Sequence, residues 1–143
     1  MSSIWINSPT PEILNDLCRN SMVDHLAIEF TETGDDYLKA KMPVEKFTQQ
    51  PDGLLHGGAS VALAETIGSV AANLVIDRSE KICVGLEINA NHTRAKREGY
   101  VTGTAQPVHL GNSTQIWEIK ITDEKARLVC ISRLTMAVLD RNI

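Results

Sequence analysis

Apolar and polar positions along the first third of the chain predict one short helix followed by two strands. Residues 11–20 place apolar side chains three and four positions apart, which is the spacing of one helix face. Apolar runs at 26–30 and 37–42 are separated by residues 34–36, whose types favour a turn between two strands. Residues 43–55 have no regular period, and we expect an irregular segment there.

The longest continuous pattern is a helix predicted over 57–76, which is rich in alanine and apolar on almost all sides. Four strands are predicted after it, at 84–91, 100–105, 114–122 and 128–139. The connections between them are short, which favours antiparallel pairing. A helix that is apolar all round must be covered by other structure, and a curved antiparallel sheet provides that cover. The sequence therefore predicts an α+β chain with the hotdog fold, an antiparallel sheet wrapped around one long central helix.

The composition is that of an ordinary globular domain, which we assign to residues 1–143. Hydrophobic residues make up 43% of the chain, and the net charge of −4 gives no reason to expect binding to nucleic acid or to an anionic membrane. The three cysteines form no CxxC pair, and the N-terminus has no signal-peptide pattern. We therefore expect a cytoplasmic protein without a disulfide framework or a zinc site.

The predicted central helix carries the residues that point to chemistry. It opens with Gly57 and Gly58, whose N–H groups lack helical partners and could donate to a carbonyl oxygen that becomes anionic, although two glycines could also simply join a loop to a helix. Glu65 is an ionisable residue in an apolar run that has no basic residue, and Ser69 lies one turn further on the same face. A carboxylate beside a hydroxyl can activate water or attack an electrophile. The alternatives are a carboxylate held by a buried Arg or Lys and a purely structural carboxylate at a subunit interface.

The spacing between Gly57 and Glu65 has a consequence for assembly. Eight residues separate them, which is about 12 Å along an α-helix. One carbonyl group cannot be held at the first and attacked by the second within one chain. Two helices packed antiparallel across a two-fold axis would bring Glu65 of one subunit beside Gly57 of the other. If both residues serve one reaction centre, the chain forms a dimer with two composite sites.

Polar residues near the start of this helix could complete the site. His56 precedes the helix directly and could donate to a thioester or steady its leaving thiolate, although a local hydrogen bond is equally compatible with its position. Gln50 could reach the same pocket from the preceding loop. Three cations, Arg94, Lys96 and Arg97, cluster at the end of a predicted strand and could bind the phosphates of coenzyme A, although a solvated basic loop is the commoner outcome.

Several other kinds of site find no support in the sequence. It contains no GxGxxG or GxxxxGK[ST] run for a nucleotide cofactor and no GxSxG run for a serine nucleophile. The four histidines have no metal-ligand spacing among themselves. The segment 109–112 is a candidate turn whose N–H groups could help to hold a pantetheine or phosphate group.

Three runs together resemble a known family. They are Gln50-Pro-Asp-Gly-Leu-Leu-His-Gly-Gly-Ala-Ser60, Ala64-Glu-Thr-Ile-Gly-Ser69 and Val84-Gly-Leu-Glu-Ile-Asn-Ala-Asn-His92. They closely resemble the hotdog thioesterases that act on 1,4-dihydroxy-2-naphthoyl-CoA in menaquinone biosynthesis, and they are nearly as similar to the sister proofreading thioesterases of enterobactin synthesis. The resemblance extends over about residues 5–139, and its element order agrees with the predicted one.

The resemblance implies a homotetramer built as a dimer of dimers, with active sites across the dimer interface and no metal or redox cofactor. By the same resemblance, Glu65 is the nucleophile or general base, Ser69 positions water, and the N–H of Gly57 binds the thioester oxygen. Gln50 and His56 then support the thioester from the subunit that carries Gly57. The residues implied along the coenzyme A or acyl pocket are Gly85, His92, Arg94, His109, Leu110, Gly111 and Asn112.

The leading hypothesis is hydrolysis of an aromatic acyl-CoA, with 1,4-dihydroxy-2-naphthoyl-CoA as the first choice. One alternative is a proofreading thioesterase that acts on misacylated aryl or acyl carrier protein. Another is a non-catalytic hotdog protein that binds acyl-CoA, although such a protein would lack the carboxylate of Glu65. Asp52 stands where the family carries an aromatic residue, and we expect it to change the acyl end of the pocket.

Overall fold

A computed structural model describes residues 2–142, which form six strands, three α-helices and one turn of 3-10 helix at Lys46–Thr48. The α-helices are α1 (Pro11–Leu17), α2 (Met22–His25) and α3 (Gly57–Leu74). The strands are β1 (Glu29–Thr33), β2 (Leu38–Pro43), β3 (Lys81–His92), β4 (Tyr100–Leu110), β5 (Thr114–Thr122) and β6 (Leu128–Asp140). Within this part of the chain, no helix is long and apolar enough to cross a membrane.

All six strands belong to one antiparallel sheet with the order β1-β2-β4-β5-β6-β3. β1 and β3 are therefore the two edge strands. The long helix α3 contacts five of the strands, β2 to β6, so the sheet curves around it. This arrangement confirms the predicted hotdog fold.

α3 packs closely on the sheet because small residues stand at the contact. A Cβ atom added to Gly68 of the helix would lie 2.6 Å from Leu134 Cδ2, and one added to Gly103 of β4 would lie 2.6 Å from Ile67 Cδ1. Leu63 and Ile67 are fully buried at this contact. The largest other buried side chains include Trp117, Phe30, Leu38, Met42 and Ile119.

The expectation that α3 is enclosed on nearly all sides is wrong for a single chain. Its buried residues are Ser60, Leu63, Ala64, Ile67, Gly68, Ala71 and Ala72, which follow the spacing of one helix face. Glu65 on the opposite face is exposed, and Thr66 and Val70 are only half-buried. One sheet can cover only one face of a helix, so a second surface is needed to cover the rest.

The predicted boundaries fail mainly where the backbone takes a left-handed conformation. The helix predicted to reach residue 20 ends at Leu17, and Asn20 has a φ of 57°. A separate helix then starts after Ser21, whose hydroxyl caps it by accepting the N–H of Val23. Ala27 has a φ of 54°, and β1 begins two residues beyond it instead of at residue 26.

Strands β3 and β4 are longer than the pattern predicts: β3 begins three residues earlier, at Lys81, and β4 continues through an irregularity to Leu110. β3 has a register shift between Gly85 and Glu87, and β4 has one between Pro107 and His109. Such a bulge re-aims the strand without ending it. In β4 the predicted pattern stops before the irregularity, although the hydrogen-bonded ladder resumes beyond it.

We expect Leu63→Ala to lower the free energy of unfolding by about 2–5 kcal/mol, because it leaves a cavity between α3 and the sheet. The matched control is Leu17→Ala, the same change at a side chain that is 74% exposed, for which we expect a loss below about 1 kcal/mol. Urea-induced unfolding at one fixed protein concentration measures both values. Equal losses would contradict the central position of α3 in the core.

Candidate active site

Two recesses open along the side of α3, one at its start and one at its middle. We call the first the helix-start recess; the side chains and glycine that border it include Gln50, Leu54, Gly57, Ser60, His92 and Arg94. We call the second the mid-helix recess; it is lined by Met22, Val23, Leu26, Ala62, Glu65, Thr66, Ser69 and Val70. The two share no lining residue, so the sequence-predicted site falls into two separate groups within one chain.

His56 is the N-cap of α3, and its capping bonds single out one N–H group. Its Nδ1 accepts the N–H of Gly58 at 2.8 Å, and its main-chain oxygen accepts those of Ala59 and Ser60 at 3.0 and 3.2 Å. In the first turn of the helix, the N–H of Gly57 is left without a partner among residues 2–142. Because Nδ1 is an acceptor, the proton of a neutral His56 ring lies on Nε2, which is free to donate.

Gly57 is also the point where the helix start meets the end of β3. A Cβ atom on this residue would lie 3.0 Å from His92 Nε2, so the imidazole sits directly against the glycine. Arg94 follows two residues later and borders the same recess. The structure therefore brings together four predicted site residues from two distant parts of the chain: Gln50 and Gly57 from one, and His92 and Arg94 from the other.

The side chain of Gln50 is held by its own turn. Its main-chain N–H donates to the Leu54 carbonyl at 2.8 Å, and its Oε1 accepts the N–H of Asp52. With Oε1 engaged in this way, its Nε2 is the group left to donate to a ligand. Asp52 itself is exposed at the tip of the turn and lies outside the lining of the helix-start recess.

The basic cluster separates into one residue at the recess and two with structural contacts. Lys96 forms an ion pair with Glu124 at 2.7 Å, and this pairing lowers the pKa of the Glu124 carboxyl. Arg97 Nη1 lies 3.5 Å from the main-chain oxygen of Asp52. Arg94 is therefore the member of the cluster that borders the recess beside Gly57.

In the mid-helix recess, Glu65 and Ser69 lie on adjacent turns of α3, opposite apolar side chains. Within residues 2–142 no Arg or Lys forms an ion pair with Glu65, which removes the alternative of a carboxylate held by a base of its own chain. The carboxylate is exposed in the single chain, so the expectation of burial is met only if another surface covers it.

Two features of the mid-helix recess were not predicted from the sequence: the origin of its apolar wall and the contact between Gly85 and Glu65. The apolar wall comes from Met22 and Val23 of α2 and from Leu26 just after it, and only the apolar character of these residues in the sequence hinted at a packing role. Gly85 of β3 was predicted as a pocket residue, and a Cβ atom there would lie 2.9 Å from Glu65 Oε1. Gly85 therefore supports the carboxylate of its own chain and stands apart from His92 and Arg94.

The predicted turn at 109–112 lies away from both recesses within one chain. Leu110, Gly111 and Asn112 line a third recess near the C-terminal end of α3, together with Val75 and Ile76. The imidazole of His109 lies against Gly111, where an added Cβ atom would be 2.6 Å from its Nε2. A single chain therefore does not bring these four residues to Glu65 or to Gly57.

Chemically, the two recesses offer different groups that hydrolysis can use. The helix-start recess offers N–H donors for an oxygen that gains negative charge and a guanidinium for anionic groups. The mid-helix recess offers a carboxylate and a hydroxyl that can handle water. Among residues 2–142 no group of three or more His, Cys, Asp or Glu side chains is arranged to hold a metal ion.

Comparison with known proteins assigns this arrangement to a family. The model of the Thioesterase superfamily matches residues 52–130. The chain is 56% identical over 136 residues to the 1,4-dihydroxy-2-naphthoyl-CoA hydrolase of Escherichia coli, covering 95% of this chain and 99% of that protein. It is 52% identical over 136 residues to the proofreading thioesterase EntH of Cronobacter turicensis, covering 95% and 98%.

A solved structure agrees with these sequence comparisons. The crystal structure of a thioesterase from Haemophilus influenzae superposes with a TM-score of 0.93 at 51% identity, covering 96% of this chain and 95% of that chain. The family match spans more than half of the sequence, and the similarity to these relatives extends over nearly all of it. The protein therefore belongs to the thioesterase superfamily and is a thioester hydrolase.

Proposed function

We propose that this thioesterase hydrolyses an aromatic acyl-CoA, with 1,4-dihydroxy-2-naphthoyl-CoA as the first candidate. The observation that carries the proposal is the position of Glu65, an unpaired carboxylate in a recess whose opposite wall is apolar. An apolar wall favours a flat aromatic acyl group beside the reacting carbon. The 56% identity to the Escherichia coli hydrolase supports the same substrate.

In the proposed reaction, the thioester oxygen accepts the N–H of Gly57, whose hydrogen bond strengthens as the oxygen becomes anionic. Acting as a base, Glu65 takes one proton from a water molecule positioned by Ser69 while the water oxygen bonds to the carbonyl carbon. The C–S bond then breaks and the proton passes to the departing sulfur, so the products are a carboxylic acid and coenzyme A. Direct attack by Glu65, followed by hydrolysis of the anhydride, needs the same geometry. Neither route requires a metal or a redox cofactor.

The remaining residues of the helix-start recess assist from the Gly57 side. His56 Nε2 and Gln50 Nε2 are the donors available near the thioester and its leaving sulfur. Arg94 borders the recess with His92 and carries the charge that suits the phosphates of coenzyme A.

We further propose that the protein works as a dimer, and that dimers pair into a tetramer. β3 is an edge strand whose Val84 and Leu86 are 38% and 61% exposed, and an open apolar edge is a template for another strand. Antiparallel pairing of two β3 strands about a two-fold axis would also bring together the uncovered faces of two α3 helices. Glu65 of one subunit would then approach Gly57 of the other, and the turn at 109–112 could reach coenzyme A only from a neighbouring subunit.

We propose the cytoplasm as its location. All three cysteines, Cys18, Cys83 and Cys130, are free thiols. Burial raises the pKa of the Cys83 and Cys130 thiols, which keeps them protonated and unreactive. Free thiols of this kind are typical of a reducing compartment.

Proofreading of a misacylated carrier protein is the second candidate, and the 52% identity to EntH favours it. A thioester on a phosphopantetheine arm presents the same reacting atoms as a coenzyme A thioester, so both substrates would use Glu65 and Gly57. The difference lies in what is attached to the far end of the arm. Measured rates on the two substrate classes therefore decide between the candidates.

We expect Glu65→Ala to lower kcat by about 10²–10⁴-fold, because the variant cannot activate water or attack the thioester. The matched control is Glu98→Ala, which changes an exposed carboxylate outside both recesses. Release of free coenzyme A measures turnover, and circular dichroism checks that both variants are folded. Near-normal turnover by a folded Glu65→Ala variant would overturn its catalytic assignment.

We expect activity to return when two inactive variants are mixed under conditions that exchange subunits. One is Glu65→Ala, and the other is Gly57→Val, whose added side chain would meet His92. Random exchange makes half of the dimers mixed, and each mixed dimer has one intact site, so activity should reach about a quarter of the wild-type value. Proven exchange without recovery would contradict a shared site.

We expect kcat/KM to be at least about tenfold higher for 1,4-dihydroxy-2-naphthoyl-CoA than for hexanoyl-CoA, because a rigid aromatic group fills the apolar recess more completely. The same assay with a benzoyl group on an aryl carrier protein tests the second candidate. A higher kcat/KM on the carrier protein than on benzoyl-CoA would favour proofreading. Equal rates on aromatic and aliphatic coenzyme A esters would contradict the proposed substrate class.

A further inference from the structure

The side-chain amide of Asn73, in the last turn of α3, is bonded to both main-chain groups of Cys83 on the edge strand β3. The N–H of Cys83 donates to Asn73 Oδ1 at 3.1 Å, and Asn73 Nδ2 donates to the Cys83 oxygen at 3.3 Å. The same Nδ2 donates to the Ser69 oxygen at 2.9 Å. The amide thus takes the place that a neighbouring strand would occupy and ties the edge of the sheet to the helix.

This link lies close to the carboxylate of the mid-helix recess. Gly85 is two residues from Cys83, so both point to the same side of β3. A Cβ atom on Gly85 would lie 2.9 Å from Glu65 Oε1. Glu65 precedes Asn73 by eight residues on the rigid helix α3. Helix α3 and strand β3 are therefore in contact at two nearby places: the amide of Asn73 is bonded to Cys83, and Glu65 lies against Gly85.

Within one chain, β3 is held mainly by β6 and by this link to α3. It pairs with β6 along one side only, and its ladder has a register shift between Gly85 and Glu87. The proposed pairing with a second β3 would hold the strand to another subunit, whereas the amide of Asn73 holds it to α3 of its own chain. A bulged edge strand is held weakly at the bulge. Besides the amide bonds, the thiol of Cys83 makes two weak contacts: it donates to the Ala72 oxygen at 3.4 Å and accepts from Gln115 Nε2 at 3.6 Å.

We propose that Asn73 is a positioning residue for thioester hydrolysis. By holding Cys83 to α3, it keeps the backbone of Gly85 against Glu65 and confines the carboxylate to the orientation needed for reaction. Asn73 touches neither substrate nor water in this role. The inference rests on the proposed catalytic function of Glu65 and extends it to the contact that orients the carboxylate.

The chain contains a matched control for this inference at the opposite edge of the sheet. The N–H of Phe30 on β1 donates to Asn15 Oδ1 at 2.7 Å, and Asn15 Nδ2 donates to the Phe30 oxygen at 3.0 Å. An asparagine of a helix therefore holds each edge strand by the same pair of bonds. Only the link made by Asn73 lies beside the carboxylate of Glu65.

The test compares Asn73→Leu with Asn15→Leu, since each change keeps the branched shape of the side chain and removes the paired bonds. We expect both variants to unfold at lower temperature than the wild type. We expect kcat to fall about 10- to 100-fold for Asn73→Leu alone, because a displacement of about 1 Å at a reacting group has an effect of this size. KM should stay within about threefold in both variants, and Asn15→Leu should keep kcat within about twofold.

A double-mutant cycle with Gly85→Ala makes the test specific to orientation. The added methyl group would press on the carboxylate while the amide link stays intact, so it should lower kcat by itself. In the Asn73→Leu background, where β3 can move away, the same methyl group should lower kcat less. If Asn73→Leu fails to fold, Asn73→Asp replaces it, because the aspartate still accepts the N–H of Cys83 but cannot donate to its carbonyl oxygen.

A normal kcat in a folded Asn73 variant would overturn the proposal. Equal losses of kcat in Asn73→Leu and Asn15→Leu would also overturn it, since they would indicate a general effect of stability. Fully additive effects of Asn73→Leu and Gly85→Ala would show that the two residues do not act on one carboxylate. Failure of the catalytic assignment itself is a different result, because it appears as near-normal turnover by Glu65→Ala.

Discussion

The depth at which α3 lies against the sheet is the constraint on which both the site and the assembly depend. Gly68 and Gly103 have no side chain of their own where the helix meets the strands, and an added methyl group would lie 2.6 Å from the side chain of Leu134 or Ile67. A helix packed this closely cannot rotate without losing its buried face. Glu65 is two residues from both Leu63 and Ile67, so it must lie on the uncovered face.

This packing divides the chemistry between two places. The start of α3 carries donors, because every helix begins with N–H groups that have no helical partner and His56 satisfies all but one in the first turn. The middle of the same helix carries the carboxylate. Because the helix is rigid, its start and its middle stay about 12 Å apart and cannot contact the same reacting group. The separation that prevents a single chain from completing the site is also the reason to propose a site shared by two chains.

The surroundings of Glu65 are formed by two less extensive parts of the fold, the short helix α2 and the edge strand β3. Met22 and Val23 of α2, with Leu26 just after it, form the apolar wall opposite Glu65, and the edge strand β3 places Gly85 beside the carboxylate. Paired amide bonds tie both edge strands to helices, at Asn15 and at Asn73. In the proposed mechanism, the hydrolytic chemistry depends on how the edge strands of the sheet are held, as well as on the core.

The sequence by itself determined the hotdog fold, the start of α3 and the limits of β5, because these features follow from local periodicity and from end signals a few residues apart. It also singled out Glu65 and Gly57, since an acidic residue in an apolar run and a glycine pair at a helix start are visible locally. Only the tertiary structure decided that His92 lies against Gly57, that Gly85 lies against Glu65, and that Lys96 pairs with Glu124 while Arg94 faces the recess. Those pairings join residues that are far apart in the chain. Their distances depend on strand register, bulges and helix depth, which no local pattern specifies.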